Sequence, residues 1–81
     1  IETIEKNIIA IYPNPNKGMF NVRLDDGKYD ISISNAVGQT VCNIIDATEE
    51  VMIDIDDLTS GLYFVNIRNE KVNVIEKIIL E

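Results

Sequence analysis

Several residue types on which enzymes and metal sites depend are scarce or absent in this chain of 81 residues. It contains no His, no Trp and one Cys. The lack of His excludes His-based acid–base catalysis, Ser-His-Asp and Cys-His sites and the usual zinc sites. Cys42 has no second Cys with which to form an internal disulfide, so the fold must depend on apolar burial. The sequence also carries no cofactor-binding motif, and we do not expect an enzyme.

Basic residues are scarce as well, with 7 Lys and Arg against 14 Asp and Glu and a net charge of −7. They form no basic run, so nucleic acids and anionic membrane surfaces are poor candidate partners. The longest apolar runs fall far short of the roughly 20 residues of a spanning helix, so no membrane insertion is expected. Apolar residues make up 46% of the chain, which is typical of one small globular domain. Because it begins at Ile1 rather than Met, we expect a piece of a longer protein.

Apolar and polar residues alternate in four segments, which is the period of half-buried antiparallel strands. The apolar members, predicted to face the core, are Phe20, Val22, Leu24, Tyr29, Ile31, Ile33, Val51, Ile53, Ile55, Tyr63, Val65 and Ile67. Residues 8–12, 39–46 and 72–80 predict three further strands. Between the second and third strands, Asp25-Asp26-Gly27-Lys28 is a strong hairpin signal. The fold prediction is all-β: a single antiparallel seven-stranded β-sandwich, Ig-like or jelly-roll-like.

Four motifs, which we call the landmarks, follow one another in an order that indicates a known family. They are Tyr12-Pro13-Asn14-Pro15-Asn16-Lys17-Gly18, the segment from Ile31 to Val41 with Gly38-Gln39-Thr40-Val41, then Leu58-Thr59-Ser60-Gly61-Leu62-Tyr63-Phe64-Val65, and Glu76-Lys77-Ile78-Ile79-Leu80. Together they resemble the C-terminal sorting domain of cargo proteins for the type IX secretion system (Por secretion system) of Bacteroidetes-type bacteria. On this resemblance, residues 1–7 are expected to be a lead-in from the cargo protein and residues 8–81 the sorting domain.

The resemblance implies a secretion and sorting signal rather than a catalyst. Such domains direct an attached cargo protein across the outer membrane, from the periplasm to the cell surface or the medium. The implied partners are the fused N-terminal cargo domain, the type IX translocon and a sortase-like surface peptidase that usually removes the domain. The residues that match the family motifs are Pro13, Asn14, Pro15, Gly18, Gly38, Gly61 and Tyr63.

The landmark residues also have structural interpretations that stand without the family. The two prolines of the first landmark fix φ near −65° and predict a stiff, polyproline-like segment. Gly18, Gly38 and Gly61 predict turns with positive φ. Tyr63 predicts an aromatic residue of the core or its boundary, whose hydroxyl binds nearby backbone as corner tyrosines do in sandwiches.

The last landmark is apolar on both faces, and two explanations fit this pattern equally. Either the strand is buried in the core, or it is an edge strand to which a receptor adds a strand of its own. We take Lys77, Ile78, Ile79 and Leu80 as the candidates for translocon recognition. The isolated domain is expected to be monomeric or to self-associate weakly through this edge. Removal of residues 77–81 is expected to abolish export while much of the sandwich stays folded.

Two smaller features have mainly structural interpretations. Asp54, Asp56 and Asp57 predict a solvated strand face followed by a turn. Calcium is the minor alternative there, because the segment lacks the Gly and the distant Glu of an EF-hand loop. Cys42 is predicted to be a small, buried or half-buried hydrophobic residue, since no basic side chain lies near it in sequence to activate the thiol.

The competing function is a small ligand-binding β-sandwich, such as a carbohydrate-binding or adhesion module. Binding platforms for sugars rely on exposed aromatic faces, yet the chain has no Trp. The alternation directs Tyr29 and Tyr63 into the core. The sequence therefore favours the sorting signal over this alternative.

Overall fold

The alternating segments form β-strands in a computed structural model of the protein, which describes residues 10–13, 17–25 and 27–81. In chain order the strands are β1 (Ala10–Tyr12), β2 (Met19–Arg23), β3 (Tyr29–Asn35), β4 (Thr40–Ala47), β5 (Glu50–Asp54), β6 (Gly61–Arg68) and β7 (Asn73–Leu80). The described residues include no helix at all. Over these same ranges, accordingly, no helix has the length and apolar character needed to cross a membrane.

The seven strands form two antiparallel sheets. One has three strands in the order β1-β2-β5, and the other has four in the order β4-β3-β6-β7. The prediction of an antiparallel, seven-stranded all-β fold is thus confirmed, whereas Ig-like or jelly-roll-like connectivity stays a prediction. The hairpin expected at residues 25–28 is wrong, because β2 and β3 lie in different sheets. Their apolar faces are both buried only when the chain crosses from one sheet to the other.

The core lies between the two sheets, as expected of a β-sandwich. Its buried residues are Phe20, Val22, Leu24, Tyr29, Ile31, Ile33, Ala47, Ile53, Ile55, Tyr63, Val65, Ile67, Ile78 and Leu80. Of the residues predicted to face inward, Val51 alone is half-buried, and it packs against this cluster. Cys42 is a free thiol, half-buried against the same core, as predicted. The alternation therefore identified the inner faces correctly.

The connections fall at two ends of the sandwich. At one end lie residues 17–18 before β2, the turn between β3 and β4, the β5–β6 crossover (residues 55–60) and the last residues of β7. We call this the landmark end. At the opposite end lie residues 24–25 and 27–28 between β2 and β3, the crossover at residues 48–49 and the turn between β6 and β7. Ala10 also lies at the opposite end, because its partner in β2 is Arg23.

Candidate recognition surface

All four landmarks meet at the landmark end. The first ends at Gly18, just before β2, and the second runs from β3 through the β3–β4 turn, where Gly38 lies. The third spans the β5–β6 crossover and the start of β6. The fourth reaches it through Leu80, whose partner in β6 is Gly61. Segments that are far apart in sequence thus form one continuous region, which is the candidate functional site.

The first landmark is packed against the β5–β6 crossover at Gly18. This residue has φ 121°, as its prediction of positive φ requires, and its carbonyl accepts a hydrogen bond from Ile55 N–H at 2.6 Å. A Cβ atom at Gly18 would collide with the Cβ and Cα of Asp56. Only Gly therefore allows the two segments to approach this closely.

Part of the proline segment is described. The Tyr12–Pro13 peptide bond is cis, which the prediction of a polyproline-like run did not include. Tyr12 itself is the extended last residue of β1, consistent with the restriction that a following Pro imposes. The remainder of the predicted run, Asn14, Pro15 and Asn16, lies outside the described residues.

A single side chain organises the β3–β4 turn. The Oδ1 atom of Asn35 accepts hydrogen bonds from the backbone N–H groups of Val37 at 3.1 Å and Gln39 at 2.9 Å. Asn35 Nδ2 donates to Gln39 Oε1 at 3.0 Å, and Gly38 N–H donates to the Asn35 carbonyl at 3.0 Å. Gly38 has φ 90°, as predicted. The turn is therefore held in one shape, and it presents the Val37 side chain with 80% of its surface exposed.

Tyr63 supports the β5–β6 crossover from the core side. Its ring is buried, and its hydroxyl donates a hydrogen bond to the Thr59 carbonyl at 2.6 Å, which confirms the predicted role. Leu58 packs against the core, and its N–H donates to the Ile55 carbonyl at 3.0 Å. At the end of the crossover Gly61 has φ 147°, again the positive value predicted.

The four candidate residues of the last landmark divide between two faces of β7. Ile78 and Leu80 are core residues, exposed by 0% and 3%. Lys77 and Ile79 lie on the outer face, where Ile79 is 46% exposed and has Leu62 of β6 as its partner. Lys77 and Ile79 each have interaction partners in the structure already. β7 is an edge strand of the four-stranded sheet, and contact between these residues and a receptor stays a prediction.

The acidic cluster lies beside the crossover. Asp54, Asp56 and Asp57 are exposed, as predicted, and Asp54 Oδ1 accepts a hydrogen bond from Asp56 N–H at 3.0 Å. The negative charge of Asp54, together with a side-chain hydrogen bond to it, raises the pKa of Asp56 above its ordinary value. Across residues 10–13, 17–25 and 27–81 no group of three or more His, Cys, Asp or Glu side chains is arranged to hold a metal ion.

Comparison with known protein families gives one match that extends over residues 10–81, nearly the whole chain. The matching family is the secretion system C-terminal sorting domain. The chain belongs to this family. The sorting domain is accordingly a signal of the type IX secretion system, and its family is one of address signals rather than of catalysts. A comparison with curated proteins finds no match.

Membership has consequences for partners and destination. A domain of this family acts on an attached cargo and is read by the secretion machinery, so the sorting domain serves export toward the cell surface or the medium. None of these roles needs a catalytic group. The features that matter are therefore the shape and chemistry of an exposed surface.

Sequence reasoning missed one part of that surface. Residues 35–37 and 59–63 line a groove of about 310 Å³ between the β3–β4 turn and the β5–β6 crossover. Val37 in this lining is 80% exposed and lies in no alternating segment, although the second landmark includes it. Asn35, three residues before Gly38, was the available signal, because Asn side chains fix turns of this kind. The juxtaposition of the two segments depends on tertiary structure.

Proposed function

We propose that this sorting domain directs an attached cargo protein from the periplasm across the outer membrane through the type IX translocon, after which a sortase-like peptidase removes it. The observation that carries the proposal is the convergence of all four landmarks on one end of the sandwich. If the landmark residues served only to form turns, we would expect them at both ends of the sandwich, since each end has turns. A single shared surface is what recognition by one receptor requires.

The two faces of β7 support a division of labour within the last landmark. Ile78 and Leu80 hold the strand in the core, whereas Lys77 and Ile79 offer a cation and an aliphatic group on the outer face. We therefore narrow the recognition candidates to the outward pair. Removal of residues 77–81 would also delete two core side chains, and for that reason we now expect the truncated domain to lose folding as well as export.

The burial of the aromatic residues does not favour a sugar-binding module. Tyr29 and Tyr63 are 3% and 5% exposed, so neither offers a ring face to a ligand. Tyr12, on the outer face of the three-stranded sheet, is 41% exposed. One ring on a surface of mixed polarity is a weak platform compared with the aromatic clusters that such modules use.

Fusion of the domain to a periplasmic reporter tests the proposal. In a host with a type IX system we expect the reporter at the cell surface or in the medium, whereas a matched host without the translocon should retain it in the periplasm. Equal release from both hosts would contradict the sorting function and favour the ligand-binding alternative. Cleavage at the junction, followed by mass spectrometry, tests removal by the peptidase separately.

A matched pair of substitutions tests the outward residues of β7. Ile79→Ser removes an aliphatic group at the landmark end, and Ile75→Ser removes one that is 65% exposed on the same face, further toward the opposite end. We expect export to fall for Ile79→Ser and to stay near the wild-type rate for Ile75→Ser, with similar thermal melting of both. Equal export of the two variants would contradict a role for Ile79.

A further inference from the structure

We infer that the groove between the β3–β4 turn and the β5–β6 crossover is a docking site. It binds an aliphatic side chain from a basic segment of a protein of the secretion machinery. The inference rests on the proposed sorting function and deepens it. It concerns a surface that adjoins the outer face of β7, because Leu62 of the groove lining is the partner of Ile79. It also assigns a role to the exposed side chain of Val37.

The lining of the groove differs from the rest of the surface in its lack of charge. Residues 35–37 and 59–63 include no charged side chain, although 26% of the chain is charged. Val37 is 80% exposed and Leu62 is 36% exposed. An uncharged, partly apolar depression in such a polar surface is typical of an interaction site.

Both walls of the groove are fixed before any partner arrives. Asn35 holds the first wall through its hydrogen bonds to Val37 N–H and Gln39 N–H, and Tyr63 holds the second through Thr59. A preformed site loses little conformational entropy on binding, so that a small contact area suffices for recognition. Val37 can then act as a rigid anchor at the rim.

The charges around the groove identify the chemistry of the partner. Asp57 is exposed two residues before Thr59, and exposed Glu81 follows Leu80, which pairs with Gly61. The chain as a whole has a net charge of −7. A partner segment with an aliphatic anchor and flanking Lys or Arg residues therefore complements the site, since opposite charge raises the encounter rate and excludes acidic competitors.

Val37→Lys tests the apolar anchor, with Ile45→Lys as its matched control. Both positions carry exposed β-branched aliphatic side chains, but Ile45, which is 67% exposed, lies on β4 outside the groove. In the reporter fusion we expect Val37→Lys to slow export about tenfold, as loss of a buried anchor does at other interfaces. Ile45→Lys should export at the wild-type rate, and thermal melting of both purified domains should match the wild type.

The acidic flank is tested by the double variant Asp57→Asn with Glu81→Gln. Its control is Asp25→Asn with Glu70→Gln at the opposite end, which changes the net charge equally. We expect slower export for the first pair alone. Should Val37→Lys fail to fold, Ala36→Leu narrows the groove without a new charge and should slow export in its place.

The outcomes separate the two proposals. If the wild-type domain is exported in the host with the translocon and not in the host without it, the sorting function is established whatever the variants do. If Val37→Lys is then exported normally, or if Ile45→Lys is equally impaired, the groove is not the docking site. Equal effects of the two charge-neutralising pairs would overturn the basic nature of the partner.

Discussion

Both ends of the sandwich contain backbone with positive φ, but different residue types adopt it at the two ends. At the landmark end positive φ falls on Gly18, Gly38 and Gly61. At the opposite end it falls on Gly27 and also on two acidic residues, Asp46 with φ 59° and Glu49 with φ 61°. Such a conformation is uncommon for residues other than Gly, and surrounding contacts have to maintain it.

Tertiary hydrogen bonds supply those contacts at the opposite end. Asp30 Oδ1 accepts a hydrogen bond from Asp46 N–H at 3.3 Å, and the Glu49 carbonyl accepts one from Leu24 N–H at 2.6 Å. At the landmark end the residue types themselves determine the backbone conformation, namely Gly at the turns, Asn35 and Tyr63. This difference explains why a family signature is readable at one end only.

The largest effect is expected from one substitution made at both ends. Gly18→Ala places a Cβ against Asp56 and also strains the backbone, whereas Gly27→Ala meets only Asn69 Nδ2 at 3.9 Å. We expect the free energy of unfolding to fall by about 2–5 kcal/mol for Gly18→Ala and by about 1–2 kcal/mol for Gly27→Ala. Both variants strain the backbone, but only Gly18→Ala also overpacks the structure. Urea unfolding measures the two values, and equal losses would break the comparison.

A second pair separates folding from recognition within the landmark end. Ile78→Ala leaves a cavity in the core and should cost about 2–4 kcal/mol, whereas Ile79→Ala on the outer face should cost about 0.5 kcal/mol. Chemical denaturation of both variants provides the check. If Ile79→Ala proves as destabilising as Ile78→Ala, the outer face of β7 is part of the packing and its role as a receptor contact loses support.

A smaller effect is expected from removal of a tyrosine hydroxyl. Tyr63→Phe loses the hydrogen bond to the Thr59 carbonyl and should cost about 1 kcal/mol. Tyr12→Phe is its counterpart on the exposed surface. The hydroxyl of Tyr12 donates to Glu50 Oε2 at 2.6 Å, and this bond raises the pKa of Tyr12. Thermal melting should show a smaller loss for Tyr12→Phe, and the reverse order would argue against Tyr63 as the support of the crossover.

The smallest effect concerns pH and Asp56. Because its folded-state pKa is raised, the folded protein retains the Asp56 proton to higher pH than the unfolded chain does. Stability therefore falls as pH rises from the ordinary to the raised pKa, and the cost persists at neutral pH. We expect Asp56→Asn to be slightly more stable than wild type at pH 7 and equal to it at pH 3. Asp25→Asn at the opposite end controls for net charge, and an identical pH profile for both variants would contradict the role of Asp54.

Period-two alternation was enough to predict four of the strands and their inner faces, because each of these strands has one face in the core. The roles of Tyr63 and the positive φ of Gly18, Gly38 and Gly61 also followed from residue type. The hairpin at residues 25–28 failed because a turn signal reports local geometry and not the sheet that the next strand joins. The groove could not be predicted for the same reason, since its two walls meet only when the β5–β6 crossover packs on the core.

The position of Ala10 has a consequence for what can be joined to the domain. The chain enters the sandwich beside Arg23, at the end remote from Gly61 and Leu80. A strand of eight residues such as β6 extends roughly 27 Å at about 3.4 Å per residue. A passenger protein that precedes Ala10 therefore joins the described domain at the end opposite to the landmark end. We expect this separation of the junction from the landmark end to let one small module serve exported proteins of very different size and shape.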